Sequence, residues 1–356
     1  MKQGKSLVDL AAEIQRRAEA KRDFVADTRQ LVLVPTPDNG VTLRVDKFGD
    51  FAPSTYAHGQ LAARTGIDKR YYDRMLSEAP GLLCYNVNHW FQTQPAQQLI
   101  RTLDGGTRAV LSDSYRPLDN LNLAEAVLPV LGEQKAHFAS CEITDNRLYI
   151  KAVTDTLQGE VKKGDVVRFG VAISNSEVGN GKLRVDGFFD TLACTNGMIV
   201  ASSFGKAHLG RKQSNGNGDG ADLGDAFELW SDKTREISDA AFFAQVRDVV
   251  KGLFTEAVFK KNLAKLQEAA GREITGNPVQ AVEVLGVQLG LTQGERSSVL
   301  SHLIKGADLS QYGIANAVTR TAADAENYDR ATELERAGGM IIELPRQNWD
   351  LIAVAA

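Results

Sequence analysis

The strongest constraint on the fold of this chain is a succession of short segments, between residues 137 and 200, in which apolar residues tend to alternate with others. Five such segments follow one another with short polar or glycine-containing connections: HFASCEIT, NRLYIKAV, VVRFGVAIS, KLRVDGFF and GMIV. A side-chain period of two is typical of β-strands, and short connections favour antiparallel neighbours. The sequence therefore predicts a central antiparallel β-sheet.

The rest of the chain divides around that sheet. Residues 1–106 combine helix-like and strand-like patterns, which predicts an N-terminal α+β region. The central core spans 107–205, because TRAVLSD and a helix in NLNLAEAVLPVL precede the strands. Glycine, asparagine and serine are frequent in 206–225, which is typical of a flexible linker. Helical patterns dominate 226–356. The predicted fold class is α+β, with helices packed on the central sheet and a mainly helical C-terminal region.

Two local predictions concern the ends of helices. The segment AQQLIRTL follows Pro95 and has the spacing of a helix that ends at Gly105-Gly106. A second glycine pair, Gly338-Gly339, is predicted to end the last helix, so that MIIEL would form a final short strand.

Composition limits the class of protein. The chain has 356 residues, of which 43% are apolar, and a formal net charge of −4, which excludes a uniformly basic coat for nucleic acid. Its three cysteines, Cys84, Cys141 and Cys194, lie far apart and form no CxxC pair, so neither a disulfide framework nor a zinc site is expected. With no long apolar run and a charged N-terminus, the chain is expected to be cytoplasmic, away from membranes.

The two faces of the predicted sheet differ in chemistry. Leu148, Ile150 and Ala152 share the apolar side of one strand. The opposite side of the sheet carries cations and an aromatic residue: Arg147, Tyr149, Lys151, Arg168, Lys182 and Arg184. Single-stranded nucleic acid is held in this way, by cations along the phosphates and rings that stack on bases. Positive charge continues through Lys206, Arg211 and Lys212. Alternatively, these cations simply keep a solvent-exposed sheet face soluble, since lysine and arginine are common on protein surfaces.

An alternative nucleic-acid site lies at residues 58–76, HGQLAARTGIDKRYYDRML. Its spacing fits two helices joined at Gly66, which in a helix-turn-helix would place Lys69, Arg70 and Arg74 in a DNA major groove. A sequence-specific duplex-binding regulator would use such a unit. Simple packing of two helices gives the same spacing, and the flanking strand patterns leave little room for a third, supporting helix.

Catalytic patterns are sparse. The histidines are not paired at metal-ligand spacing, there is no GxSxG, and the acidic residues are scattered. The sequence thus favours a protein that is not an enzyme and needs no cofactor or metal. A metal-dependent nuclease assembled from distant carboxylates is an alternative, and a phage structural or host-modulating protein is another.

The stretch SNSEVGNGKLRV, residues 174–185, is the best candidate for a ligand loop. It is not a Walker A motif, because Gly179-Asn180-Gly181-Lys182 is followed by Leu183 rather than serine or threonine. It is predicted to connect two strands, with positive φ at Gly179 and Gly181. Glu177 within it has three possible roles: capping backbone amides, pairing with an arginine of a neighbouring subunit, or ligating a metal.

Three ordered motifs resemble a known family. RAVLSDSYRPLDNLNLAEAVLP, NSEVGNGKLRVDGFFDTLACTNGMIV and the C-terminal QYGIANAVTRTAADAENYDRATELERAGGMIIELPRQNWDLI are similar to segments of the phage/plasmid-like protein family, domain of unknown function 932. The resemblance covers about residues 54 to 350. The matching motif positions are Ser112, Tyr115, Arg116, Asp119 and Asn120; Asn175, Ser176, Glu177 and Gly179; and Cys194, Thr195, Asn196 and Gly197.

The resemblance implies a role in handling mobile DNA, because members of the family occur in phages, prophages and conjugative plasmids. An analogy with single-strand annealing proteins of the RecT and Redβ type implies a curved sheet and assembly into homo-oligomers, including rings. Single-stranded DNA is therefore the expected partner, with annealing or recombination as the expected role. Tyr115 and Arg116 are candidates to hold base and phosphate; alternatively, Arg116 pairs with Asp119 and anchors a strand-to-helix turn.

Overall fold

A computed structural model describes residues 1–192, 196–200, 205–206 and 231–355 of the chain. The predicted α+β class is confirmed: a curled, mainly antiparallel sheet and a central antiparallel sheet precede a helical C-terminal region. The N-terminal elements are α1 (Leu7–Ala20), β1 (Arg22–Asp27), β2 (Leu31–Pro35), β3 (Val41–Val45), β4 (Gly49–Pro53), α2 (Thr55–Thr65), α3 (Lys69–Glu78), α4 (Pro80–Thr93), β5 (Gln97–Leu103) and β6 (Gly106–Ser112).

The strands of residues 22–112 form one curled sheet, in the order β1-β5-β6-β4-β3-β2. All neighbours are antiparallel except β4 and β6, which are parallel. The two edge strands are consecutive in the chain, joined only by a turn at Thr28–Gln30, so the sheet closes on itself. Phe24 of β1 stacks on Phe48, which follows β3, with ring centroids 4.2 Å apart. This connectivity is that of an OB-type barrel, whose first strand is bent between two partners.

One edge of the barrel is covered by a side chain of α4. Asn88 accepts a hydrogen bond from the Leu33 amide (2.7 Å) and donates one to the Leu33 carbonyl (2.9 Å). The amide group thus imitates a neighbouring strand at the outer edge of β2. An edge occupied in this way is protected from pairing with another chain.

Two sequence predictions fail in this region. Gln97–Leu103 is a strand, not a helix, and Gly106–Ser112 pairs with it instead of joining the central sheet. Both strands complete the barrel, and these long-range pairings outweigh a short local pattern. The N-terminal unit therefore extends through Ser112 rather than ending at residue 106.

The predicted central sheet is present. Its elements are α5 (Asn120–Glu133), β7 (His137–Ile143), β8 (Leu148–Glu160), β9 (Val166–Asn175), β10 (Leu183–Thr191), β11 (Asn196–Val200) and β12 (Gly205–Lys206). The strands lie in the order β11-β10-β9-β8-β7, all antiparallel, and β12 pairs with the start of β10. This order follows from connecting successive strands by short turns.

Helices cover both faces of the central sheet. The C-terminal helices are α6 (Asp232–Leu253), α7 (Glu256–Ala270), α8 (Pro278–Gln288), α9 (Gln293–Gly306), α10 (Gln311–Thr321), α11 (Tyr328–Ile342) and α12 (Arg346–Ala353). On one face α1, α5, α6 and α7 pack over the predicted apolar side chains, which belong to the main core. On the other face α11 lies across the strands and contacts β11 closely. Of the predicted linker, only Lys206 belongs to the described residues.

The glycine pair Gly338-Gly339 does not end a helix, because α11 continues through both residues to Ile342. A Cβ atom at Gly339 would overlap the carbonyl oxygen of Ile199, and one at Gly338 would overlap the Thr319 side chain. The two glycines therefore allow α11 to approach β11 and α10 at backbone distance. MIIEL is accordingly part of α11 and its exit, and not a strand.

Candidate nucleic-acid interface

The predicted basic face of the central sheet is covered by α11. Tyr149 and Lys151 are buried, with 2% and 1% of their surface exposed. Lys151 Nζ lies 2.5 Å from Glu335 Oε2, 4.5 Å above the centre of the Tyr328 ring and 3.3 Å from the Thr332 hydroxyl. The prediction that Tyr149 and Lys151 lie on an open surface is therefore wrong.

Other polar residues of this face also bind carboxylates of the same chain. The Tyr149 hydroxyl donates to Asp329 (2.8 Å). Arg168 binds Asp190 (2.5 Å) and Asp155 (3.2 Å). The period-two pattern identified correctly which side chains share a face, but it contains no information about the helix that covers them. The face is a charge-compensated interface between the sheet and α11, not a positive surface over its whole extent.

The first two family motifs meet at Glu177, in the connection between β9 and β10. Glu177 is 5% exposed. Its Oε1 accepts the backbone amide of Asn120 at the start of α5 (2.8 Å), and its Oε2 binds Arg108 of β6 (2.9 Å). Of the three roles considered for Glu177, capping of backbone amides is confirmed, and its arginine partner belongs to the same chain.

Arg101 of β5 extends this cluster, although no sequence pattern pointed to this residue. Its guanidinium, 1% exposed, donates to the Glu177 carbonyl (2.6 Å), to Asp23 (2.7 Å) and to Asp119 (2.7 Å). Lys21 also binds Asp119. Burial alone would raise the pKa of Asp119, but Arg101 and Lys21 outweigh it and hold that pKa below its usual value. The cluster joins the barrel to the central sheet with its charges compensated.

The remaining residues of the second motif shape the same connection. Asn175 donates to the Leu118 carbonyl (2.7 Å) and the Asn120 side chain (2.9 Å), and the Ser176 hydroxyl accepts the Asn180 amide (2.9 Å). The predicted positive φ is confirmed at Gly179 (80°) and Gly181 (116°). These contacts give the motif a structural role that explains its residue types.

The other motif positions differ in their surroundings. The Tyr115 hydroxyl contacts the Ser176 carbonyl at 3.4 Å, and Ser112 is exposed beside Ser114. Arg116 pairs with Asp239 of α6, so the proposed pair with Asp119 is wrong; Asp119 is held by Arg101 instead.

The third motif lies at the start of β11. Asn196 donates to the Thr319 hydroxyl (2.5 Å), and a Cβ at Gly197 would meet the Phe188 ring. Both residues fit β11 against its neighbours. Cys194 and Thr195 lie outside the described residues.

Three cations, of which Arg147 is half-buried and Lys182 and Arg184 are exposed, lie at one end of the central sheet, beside the barrel. Arg147 donates to the Asn180 carbonyl (2.6 Å), and its guanidinium lies 2.8 Å from the position of a Cβ at Gly181, next to exposed Lys182. Arg184 of β10 lies two residues after Lys182, and its side chain is 45% exposed. We call Tyr56, Arg147, Lys182 and Arg184 the rim.

Tyr56 brings an aromatic ring to the rim from the first turn of α2. Burial raises the pKa of Tyr56, and the charge of Arg147 acts on it in the opposite direction. Two carboxylates lie near these cations in sequence. Asp145 is exposed, whereas Asp186 is buried, binds Arg336 and accepts one hydrogen bond from Arg184. A third carboxylate, Asp329, accepts hydrogen bonds from Thr144 and Tyr149 on the same side of the sheet. Among the described residues Arg147 and Lys182 form no ion pair, whereas Arg184 pairs with Asp186.

The predicted continuation of positive charge is only partly described. Lys206 belongs to β12, where it pairs with Leu183 and so lies next to the rim along the backbone. Arg211 and Lys212 lie outside the described residues.

The predicted helix pair at residues 58–76 is present as α2 and α3, with Gly66 in the left-handed conformation between them. Contrary to expectation, a third helix, α4, packs against both. Lys69 and Arg74 form ion pairs with Asp73 (2.5 Å) and Glu78 (2.9 Å) of the same helix. The outer face of α3 is therefore close to charge-balanced.

His58 in α2 makes the stability of this unit dependent on pH. Its Nδ1 lies 2.9 Å from the Tyr72 hydroxyl, and burial, with nearby Lys69, lowers the pKa of His58 from 6.5 to about 4. A group with a lowered folded-state pKa contributes stability above its unfolded pKa and loses that stability as the pH falls. We expect a loss of about 1–2 kcal/mol from His58 between pH 6.5 and 4, allowing for its partial exposure.

Urea unfolding at a series of pH values measures this loss, with His58→Gln as the comparison. The variant removes the titrating ring, so its stability should fall less over the same range. An identical decline in both proteins would show that His58 is not the group responsible.

Comparisons with protein-family models, curated proteins and solved structures returned no match to this chain. In the part of the chain that is described, no three histidine, cysteine, aspartate or glutamate side chains gather as a metal site would require. No described helix is both long and apolar enough to cross a membrane.

Proposed function

We propose that this protein binds single-stranded DNA along the rim, without nucleotide hydrolysis, in the cytoplasm of a bacterial host of a phage or mobile element. The observation that carries the proposal is the position of Arg147 beside Lys182 and Arg184, with the charge of Arg147 also acting on Tyr56. Cations spaced along a surface bind successive phosphates, and an aromatic ring gives a base a surface on which to stack.

The neighbouring barrel supports the same function. An OB-type barrel commonly binds single-stranded nucleic acid, with a positive groove that follows the backbone. Fold alone does not determine function, so the argument depends on the rim itself. The rim borders the barrel through Tyr56 of α2 and through Gln60, whose side chain donates to the Val178 carbonyl at 2.9 Å.

Removal of the three rim cations tests the proposal. Each phosphate contact on a single strand contributes a slope of about −0.7 to the dependence of log affinity on log salt concentration. We expect the variant Arg147→Ala/Lys182→Ala/Arg184→Ala to bind a labelled single strand about 100-fold more weakly than the native chain at 0.1 M salt, because about two logarithmic units are lost. Fluorescence anisotropy measures the affinity.

The matched control is Lys69→Ala/Arg70→Ala/Arg74→Ala, which removes the same charge from the outer face of α3. If the rim binds the strand, this control should lose far less affinity. Equal losses in both variants would mean that only net charge matters, and the rim would then have no specific role.

Sequence-specific duplex binding by α3 is a second candidate function, favoured by one observation: α4 supplies the supporting helix that such a unit needs. It predicts preference for a duplex over a single strand, and loss of that preference in the α3 variant. Binding of labelled duplex and single strand to the same three proteins separates the two candidates.

Annealing of complementary strands and assembly into a homo-oligomer belong to the same proposal. A strand-annealing assay with complementary labelled oligonucleotides measures the first, and electron microscopy of the purified protein measures the second. The rim variant should fail to accelerate annealing if strands are held there.

A further inference from the structure

A cavity of about 300 Å³ opens between the C-terminal ends of α2 and α4, at the outer surface of the barrel. Its exposed wall is formed by Arg64, Trp90 and Gln94, and its floor by Thr28, Thr65 and Phe91. This volume lies at the lower end of the roughly 300–1,000 Å³ of small-molecule sites, and an aromatic wall with a few polar groups is typical of them.

The floor of the cavity is internally satisfied. The Thr28 hydroxyl donates to the Phe91 carbonyl (2.9 Å) and accepts the Ala96 amide (3.1 Å), while the Thr65 hydroxyl donates to the Leu61 carbonyl (2.9 Å). Because these floor groups are already hydrogen-bonded within the protein, a ligand would be recognised by the side chains of the wall.

Arg64 differs from Arg101 and from Lys69 and Arg74 of α3, which pair with carboxylates of the chain. Among the described residues the Arg64 side chain forms no hydrogen bond and no ion pair. Burial lowers the pKa of Arg64, and Asp113 acts in the opposite direction from the loop that leads to Tyr115. A guanidinium without an ion-pair partner that lines the same cavity as an indole ring is suited to an anion attached to an aromatic group.

The electrostatics of the helix ends restrict how such a ligand would lie. The cavity is bordered by the last turns of α2 and α4, whose carbonyl groups carry partial negative charge. That end favours hydrogen-bond donors on the edge of a base, and disfavours a phosphate deep in the cavity. The phosphate is therefore expected at Arg64, and the base against Trp90.

The cavity is connected to the rim along α2. Tyr56, Gln60 and Arg64 follow one another at four-residue spacing, so the first and last are about 12 Å apart along the helix. A strand held at the rim could thus continue along α2 to the cavity.

We propose that this cavity is a subsite for one nucleotide of the single strand, with the base stacked on Trp90 and its phosphate on Arg64. The inference depends on the proposed function, because the ligand is a continuation of the strand bound at the rim. It adds a second aromatic contact to a surface on which Tyr56 is the other ring proposed to stack on a base.

Intrinsic tryptophan fluorescence tests the proposal. The chain has three tryptophans: Trp349 is 1% exposed, Trp230 lies outside the described residues, and Trp90 is 36% exposed. A mixed-sequence single-stranded oligonucleotide should quench emission of the native protein, and Trp90→Phe should remove most of that quenching. Trp90→Ala should weaken binding about 10-fold, since base stacking on an aromatic residue contributes that much or more.

Arg64→Gln provides a second variant at an exposed position, with little risk to folding. We expect it to weaken binding about 5-fold at 0.1 M salt through loss of one phosphate contact. If the strand binds, and the rim variant weakens it, but Trp90→Phe retains the quenching and both Trp90→Ala and Arg64→Gln bind like the native chain, the subsite is refuted while the proposed function stands. If no strand binds even at low salt, both are refuted.

Discussion

Replacement of Lys151 by methionine is expected to lower the free energy of unfolding by about 3–5 kcal/mol, because it leaves the carboxylate of Glu335, on the buried side of α11, without the cation beside it. Both residues are at most 1% exposed. Urea unfolding followed by circular dichroism measures the loss. Glu335→Leu should have a comparable effect, because a buried ammonium group then remains.

The double variant Lys151→Met/Glu335→Leu distinguishes a charge effect from a packing effect. Apolar replacement of a whole buried pair is often neutral, so the double variant should be more stable than either single variant. The surface pair Arg74–Glu78 is the matched control, and its removal should cost no more than about 1 kcal/mol. Losses that simply add in the double variant would contradict the account of this interface.

Replacement of Gly339 by alanine is expected to destabilise the protein by about 3 kcal/mol or more. The new Cβ would overlap the Ile199 carbonyl of β11, and neither backbone can move without disturbing its own hydrogen bonds. The free energy of unfolding measured in urea gives the result directly.

Gly132→Ala in α5 is the matched control for that substitution. A Cβ at Gly132 would have nothing within 4 Å, so the gain in helix propensity should stabilise the protein by about 0.5–1 kcal/mol. Opposite signs for the two glycines are the expected outcome. A neutral or stabilising Gly339→Ala would show that α11 does not approach β11 as closely as described.

The contrast between these glycines illustrates what could be predicted from sequence. The alternating pattern predicted the central strands, because a period of two follows directly from strand geometry. It could not predict that Lys151 is buried, since Glu335 lies far away in the chain. Gly338-Gly339 resembled a helix end because the local sequence does not show that α11 packs closely against β11. That requirement arises only in the tertiary structure.

Some residues of the candidate site could be predicted from local sequence, and others could not. The turn at Gly179 and Gly181 and the exposed cations Lys182 and Arg184 follow from local sequence. Arg101 does not, because its partners come from β1, from the start of α5 and from the connection after β9. Such a cluster forms only through tertiary contacts. It also explains the motif around Glu177 as a joint between two sheets.

The salt dependence of single-strand binding tests the central claim most directly. Log affinity is measured against log salt concentration for the native chain and for Arg147→Ala/Lys182→Ala/Arg184→Ala. The account predicts that the slope becomes shallower by about 2 in the variant, since three phosphates lose their cations. Parallel slopes for the two proteins, or no binding of the native chain at low salt, would contradict it.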